Sequence, residues 1–256
     1  MSAQPTIYLV TGGGRGIGFS LVQALSTRPN TVVYAGVRSF PPGADSDLGR
    51  LAAQSPTVVL PIKLTSGSIE DNHAAAAAIK GKFGMLHCVI ACAGVSSGLS
   101  SVLSATPSQM RSDFETNSIS PLVLFQALAP LLLATHAASP GSASPKFVAI
   151  SSQRGQITDC MAYTFDSYGC SKAALNYLIK KMDVEHPQII SFPIHPGSVK
   201  TEMGHAGVAA LSVKLEDIGG ISAEESAAGI LSVIDKATKE SQGGRFCTWE
   251  GEQLPF

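Results

Sequence analysis

The stretch "LVTGGGRGIGFSL" (residues 9–21) places five glycines within seven positions, between one apolar run and the start of another. Glycine inside regular structure costs roughly 0.5–1 kcal/mol relative to alanine. Five together imply that something must approach the main chain closely. The cluster follows a β-branched run and opens a helix-compatible one, with the spacing Gly12-x-x-x-Gly16-x-Gly18 and Ile17 between the last two. This differs from the G-x-G-x-x-G fingerprint, but the physical logic is shared. Glycines permit a tight turn, let a pyrophosphate lie against the backbone and bring helix and sheet together. The helix N-terminus then offers unpaired N–H groups and partial positive charge to phosphate oxygens. A tight strand–helix turn with nothing bound is the alternative reading.

Working outward, short β-branched runs alternate with longer helix-compatible runs to the end of the chain. The pattern predicts strands at Thr6–Val10, Thr31–Gly36, Thr57–Ile62, Leu86–Ala91, Lys146–Ser151, Ile189–Ile194 and Arg245–Trp249. Their nearly continuous apolarity suits strands covered on both faces. Helices are expected at Ile17–Thr27, Asp45–Gln54, Ser68–Lys80, Ser108–Ala137, Asp166–Val184 and Ala223–Lys239. This βαβα order predicts an α/β fold: a doubly wound parallel sheet of about seven strands with helices on both faces. No internal repeat or linker interrupts residues 1–256, and "ATHAASPGSASP" (134–145) is the most loop-like segment, so one domain is expected.

Composition narrows the function. Of 256 residues, 45% are hydrophobic and only 14% charged, against about 25% charged in an average soluble domain. A net charge of −1 gives no electrostatic reason to expect nucleic acid or an anionic membrane as partner. Five cysteines, an odd number, suit a reducing compartment with most of them packed as small hydrophobes. Cys88 and Cys92 fall four apart in one expected strand and the six histidines are scattered, so no metal site is expected. No apolar stretch reaches the ~18 residues of a membrane span, and the N-terminus is no targeting peptide, so a cytoplasmic location is expected.

The second expected strand ends "YAGVRSF" (34–40), with no acid before Asp45 to hold a ribose 2′-hydroxyl. Arg38 occupies that region, and Arg15 lies inside the glycine loop. Two guanidiniums converging on one phosphate suit the 2′-phosphate of NADP; two solvated arginines are the bland alternative.

A second informative stretch is "DSYGCSKAALNYL" (166–178). On a helix Tyr168 and Lys172 are i,i+4 neighbours, about 5–6 Å apart at Cβ. An adjacent ammonium favours a phenolate and eases proton release from a group whose reference pKa is about 10. Tyr163 and Tyr177 compete, and Tyr177–Lys181 repeats the spacing farther from the strand ends. The strand signal "FVAISS" (147–152) upstream of Tyr168 favours the first pair. Cys170, between them, is turned away by its helical phase and read as packing.

With these residues assembled, the chain resembles the short-chain dehydrogenase/reductase family over nearly its whole length. "TGGGRGIG" (11–18) is similar to its cofactor loop and "FETNSISPLVLFQALAPLL" (114–132) to the helix carrying its active-site Asn. "AISSQRG" (149–155) resembles the strand carrying its Ser, "YGCSK" (168–172) its Tyr-x-x-x-Lys, and "HPGSVKTEM" (195–203) its nicotinamide-binding segment. "ISAEESAAGILSVID" (221–235) and "GEQLPF" (251–256) look most like the branch of small carbonyl reductases and fungal polyketide-type ketoreductases of secondary metabolism.

The resemblance implies a Rossmann-type fold and a set of roles. Tyr168 would protonate a carbonyl oxygen while NADPH delivers hydride to its carbon. Lys172 would lower the Tyr168 pKa and bind the nicotinamide ribose, and Ser152, preferred over Ser151, would orient the carbonyl. Asn117 would anchor a water chain resupplying protons through Lys172. Pro196 and Gly197 would shape the turn under the nicotinamide, Val199 would reach its carboxamide, and Thr201 would contact the phosphates or amide. His195 is read as a satisfied strand-end histidine, with contact to substrate as the alternative.

Three positions depart from the family pattern. Its Asn-Asn-Ala-Gly reads Ala91-Cys92-Ala93-Gly94, and the aspartate facing adenine reads Lys63, leaving Leu64 backbone contacts and the phosphates to hold the cofactor. Walls of a substrate pocket are expected from 95–106, 153–166 and 203–222, with 203–213 as a lid. These segments carry few charges, which suits an NADPH-dependent ketoreductase acting on a mid-sized hydrophobic carbonyl compound. A non-redox cyclase or imine-processing enzyme, or a non-catalytic NADP(H)-binding regulator, are the alternatives. The long stretch 108–137 and the helix after Tyr168 resemble the family's helical interface, implying a homodimer or homotetramer.

Overall fold

Seven of the expected strands form, and an eighth joins them in one sheet of order β3-β2-β1-β4-β5-β6-β7-β8. The computed structural model describes residues 4–98, 100–138, 144–160, 166–209 and 213–256. The strands are β1 Thr6–Thr11, β2 Thr31–Val37, β3 Val59–Lys63, β4 Cys88–Ala91, β5 Lys146–Ile150, β6 Ile190–His195, β7 Phe246–Thr248 and β8 Gln253–Leu254. Strands β1 to β7 pair in parallel, and β8 pairs antiparallel to β7. The two-residue β8 lacks the apolar run that marks the others, so its sequence carries no strand signal.

The helices are α1 Gly16–Ser26, α2 Asp47–Gln54, α3 Ile69–Phe83, α4 Pro107–Phe114, α5 Ser120–Ala138, α6 Asp166–Glu185, α7 Glu202–Ala209 and α8 Ala223–Lys236. Period-two alternation along β1 divides the core between the faces of the sheet. Tyr8 and Val10 join Leu21, Leu25, Ile230 and Ile234 on one side, from α1 and α8. Ile7 and Leu9 join Ile79, Leu128, Leu175 and Ile179 on the other, from α3, α5 and α6. Local signals set the helix ends: Ser68 caps α3, and Ser222 with Glu225 forms a capping box on α8.

The single helix expected over 108–137 is divided. Between α4 and α5 runs a π-helical turn, Glu115–Ile119. Pro121 has no N–H to donate to the carbonyl four residues back, at Asn117, and the ladder shifts there. By length and composition the run Pro107–Ala138 could cross a membrane, contrary to the expectation that no stretch is long enough. Yet 56% of its apolar window lies inside the protein, as in a core helix.

The order 3-2-1-4 reverses the direction of winding between β1 and β4. Ligands of such sheets bind outside the carboxyl ends of the strands at this switch point. The glycine loop after β1, Ala93 and Gly94 after β4, Ser152 after β5 and Pro196 after β6 all lie there.

Candidate active site

The glycine loop shows why it needs glycine. Gly12 and Gly16 have φ of +67° and +53°, and a Cβ on Gly18 would collide with the Gly12 carbonyl oxygen. The loop delivers the chain into α1 with Arg15 as N-cap, extended, and without a side-chain cap. No acidic residue occupies the first turn of α1, so its N–H groups suit a phosphate. This cradle fits the diphosphate of a dinucleotide.

The flanking residues assemble around it. Gly12 packs on Ala93, whose N–H, like that of Cys92, donates to Thr11 Oγ1 at 3.0 Å. Thr11 thus ties β1 to β4 where the family's amide is missing. Leu64 is buried, and its N–H donates to Val37 O at 2.9 Å, so only its other groups are open to a ligand. Lys63 lies 4.0 Å from Asp71, a carboxylate that also accepts from Thr65 N. Arg38 follows β2, exposed and without an ion pair among the described residues. Arg15 instead pairs with Glu202 of α7, so the two arginines do not act alike.

The chemical groups converge on α6. Burial pushes the Tyr168 phenol above its ordinary range, while a hydrogen bond with the Ser152 hydroxyl and the Arg154 charge draw it back. Ser152 Oγ also accepts from Arg154 N at 3.2 Å, whereas Ser151 is occupied by Asn176 at 2.5 Å. The competing Tyr177 is 69% exposed and Lys181 pairs with Glu185, so that repeat belongs to the surface. Tyr163 lies outside the described residues.

Lys172 is buried and donates from Nζ to Ile150 O at 2.8 Å. Its ammonium is 5.6 Å from the centroid of the Tyr168 ring. Desolvation lowers its pKa to about 8, against smaller opposing effects of Cys92 and Asp113. Arg154 adds a cationic field at Tyr168, and Lys172 lies against its ring.

Asn117, in the π-turn, accepts from Val95 N at 2.9 Å and donates to Val95 O at 2.8 Å and Ser171 Oγ at 2.9 Å. A Cβ on Gly94 would stand 3.2 Å from Asn117 Oδ1 and 3.7 Å from Lys172 Nζ. The absent side chain at Gly94 therefore lets this polar cluster close up.

A cavity of about 160 Å³ opens over these groups. Ile17, Ser152, Tyr168, Pro196, Gly197, Val199 and Thr201 line it, with Met203, Val208, Leu215 and Ile218 as an apolar wall. Thr201 Oγ1 accepts from Gly204 N at 3.1 Å, capping the segment expected as a lid, which forms helix α7. Residues 99, 161–165 and 210–212 of the expected walls lie outside the described residues. Cys170 faces away from the site, as its phase requires, but is exposed rather than packed; Cys160 is exposed too. The sequence reading missed two supports: Ser226 Oγ, which donates to Pro196 O at 2.6 Å, and Asp113, buried beneath Ser167. Among the described residues no cluster of three or more His, Cys, Asp or Glu could hold a metal ion.

Comparison with known proteins places this geometry in a family. The short chain dehydrogenase family model matches residues 6–210. The short chain dehydrogenase gsfK of Penicillium aethiopicum is 34% identical over 98% of this chain and all of that protein. The norsolorinic acid ketoreductase stcE of Emericella nidulans is 31% identical over all of this chain and 95% of its own. The NADPH-bound carbonyl reductase from chicken fatty liver superposes with a TM-score of 0.88 at 30% identity, over 99% of this chain and all of that one. The chain belongs to the short-chain dehydrogenase family. It is an oxidoreductase that binds a nicotinamide cofactor.

His195, at the end of β6, lines the cavity, its Nδ1 buried and without a hydrogen-bond partner among the described residues. Burial, then the Arg154 charge, lowers its pKa from 6.5 to about 4. The neutral ring stabilises the fold above the unfolded value, and that contribution is lost as pH falls from 6.5 through about 4. Nitrogen-15 NMR of labelled histidine is expected to show His195 titrating near pH 4. Titration at the ordinary histidine value would contradict this burial.

Proposed function

We propose that this short-chain dehydrogenase is an NADPH-dependent ketoreductase acting on a mid-sized apolar carbonyl compound, with Tyr168 as general acid. The observation that carries the reading is the Ser152–Tyr168 hydroxyl pair facing an apolar cavity beside the glycine loop. The relatives named ketoreductases and carbonyl reductase support the same chemistry.

When bound, the dihydronicotinamide supplies the hydride. The chain's own residues prepare the other half of the reaction. A carbonyl oxygen between Ser152 Oγ and the Tyr168 phenol accepts hydrogen bonds that strengthen as negative charge develops. The phenol, desolvated but hydrogen-bonded, transfers its proton to that oxygen. Arg154 stabilises the resulting phenolate electrostatically. Lys172, with its pKa drawn to about 8, holds an exchangeable proton close to neutral pH. Met203, Val208, Leu215 and Ile218 exclude water and favour an apolar substrate body.

The diphosphate fits the α1 cradle, and Pro196, Gly197 and Val199 line the nicotinamide end. Arg38, exposed and without an ion pair among the described residues, is the residue we assign to the 2′-phosphate, with Arg15 secondary because Glu202 competes for it. We also propose assembly as a homodimer or homotetramer through the outer faces of α5 and α6, where Tyr177 and Val184 are exposed.

Tyr168→Phe is expected to reduce kcat for ketone reduction by about 10²–10⁴-fold. NADPH binding, followed by its fluorescence, is expected to persist, and Tyr177→Phe to behave as the parent. Undiminished turnover by Tyr168→Phe would remove the general acid from this account. Arg38→Ala is expected to raise the Kd of NADPH about tenfold or more while leaving NADH nearly unchanged. Arg15→Ala is expected to cost less than Arg38→Ala; equal losses for both cofactors would refute the 2′-phosphate assignment.

A further inference from the structure

Asp113 lies on α4, fully buried, outside the groups so far given a chemical role. Its Oδ1 accepts from Ser97 N at 3.0 Å and from Ser97 Oγ at 2.7 Å. Its Oδ2 accepts from Ser167 Oγ at 2.7 Å. One carboxylate thus joins three elements: the segment after β4, α4 and α6.

This arrangement duplicates the one made by Asn117 four residues later. Asn117 grips Val95 through both its N–H and its carbonyl, and reaches Ser171 on α6. Residues 113 and 117 therefore form two rungs, reaching 97 and 95 on one side and 167 and 171 on the other. Ser96, between the two gripped residues, lines the cavity. Tyr168 and Lys172 each directly follow a serine held by a rung. The Ser171 hydroxyl, in turn, donates to Tyr168 O at 2.7 Å.

We propose that Asp113 is a positioning residue of the active site: it locks the Tyr168 end of α6 to the cavity wall around Ser96 and fixes a negative charge behind the reacting groups. The proposal deepens the ketoreductase reading and rests on it for its consequence in turnover, though not for its geometry. A buried carboxylate without its three donors would carry a large desolvation penalty, so the wall and the helix are held together cooperatively. An isosteric amide cannot satisfy the same set, because its NH₂ cannot accept from Ser167.

The field has a definite sign. Tyr168 faces Asp113 from α4, Ser152 and Arg154 from the segment after β5, and Lys172 from its own helix. Lys172 faces Asp113 and, from the end of β4, Cys92. His195 at the end of β6 faces Arg154. Asp113 favours the protonated form of both Tyr168 and Lys172, so removing its charge makes both more acidic.

The test uses the full chain with ¹³Cε-labelled lysine, the Lys172 resonance being assigned by its loss in Lys172→Met. Asp113→Asn is expected to move the Lys172 titration to lower pH, and to speed exchange of the Ser97 amide about tenfold or more while the Val95 amide changes less. With a ketone substrate, kcat is expected to fall about tenfold or more with the KM for NADPH unchanged. If Asp113→Asn folds poorly, Ser97→Ala keeps the charge and removes one of the two bonds that hold the wall, leaving the backbone N–H bond in place: the Lys172 titration is expected to hold and kcat to fall. An unshifted Lys172 titration with wild-type Ser97 exchange in Asp113→Asn would overturn the proposal. A wild-type protein without ketone turnover would refute the ketoreductase reading instead, while the resonance and exchange measurements still judge Asp113.

Discussion

An ammonium group stripped of water is the constraint around which this site is built. Burying a charged lysine costs several kcal/mol unless compensated. Lys172 is compensated by a charge-assisted hydrogen bond to Ile150 O, the last carbonyl of β5, and by the field of Asp113. That bond fixes α6 against the end of β5, and with it the distance between Tyr168 and Ser152. Beside it, a Cβ on Gly94 would stand only 3.2 Å from Asn117 Oδ1, so glycine leaves room for the cluster. The residual desolvation brings the lysine into the range where it exchanges protons near neutrality.

The departures from the family pattern are intelligible in the same terms. Where an amide is absent at Ala91, Thr11 Oγ1 accepts from both Cys92 and Ala93 and holds the end of β4 to β1. Cys92, in place of another amide, packs by Lys172; its thiol is pushed up to about 12 by burial, with Lys172 drawing it down. Lys63, in place of the family's aspartate, lies 4.0 Å from Asp71, which partly neutralises it.

How much of this was legible in the sequence follows from the range of each interaction. The glycine loop, the β-branched runs and the capping residues act over a few positions, and the strands and α1, α3, α6 and α8 form where their patterns place them. The Tyr-x-x-x-Lys spacing occurs at both 168/172 and 177/181; the strand run just upstream favours the first pair, and the exposure of Tyr177 agrees. Arg15 and Glu202 are 187 positions apart, and Asp113 and Ser167 are 54 apart, so neither pairing leaves a local trace. The π-turn was hidden because it continues the helix on both sides; the weak helix formers Thr116, Asn117 and Ser118 and the following Pro121 are its local trace. The strand β8 is too short for any periodicity to register. His195 shows the limit in the other direction: its type and place suggested a satisfied ring before substrate contact, whereas it lines the cavity and its Nδ1 has no partner among the described residues.

The most direct test of the central claim is the pH dependence of kcat/KM for ketone reduction, which reports the free enzyme's titrating groups. With a desolvated Lys172 required in its charged form, the rate is predicted to fall above a break near pH 8. A rate that stays level up to the ordinary lysine value of 10.5 would show that the ammonium keeps its water, and would contradict the account.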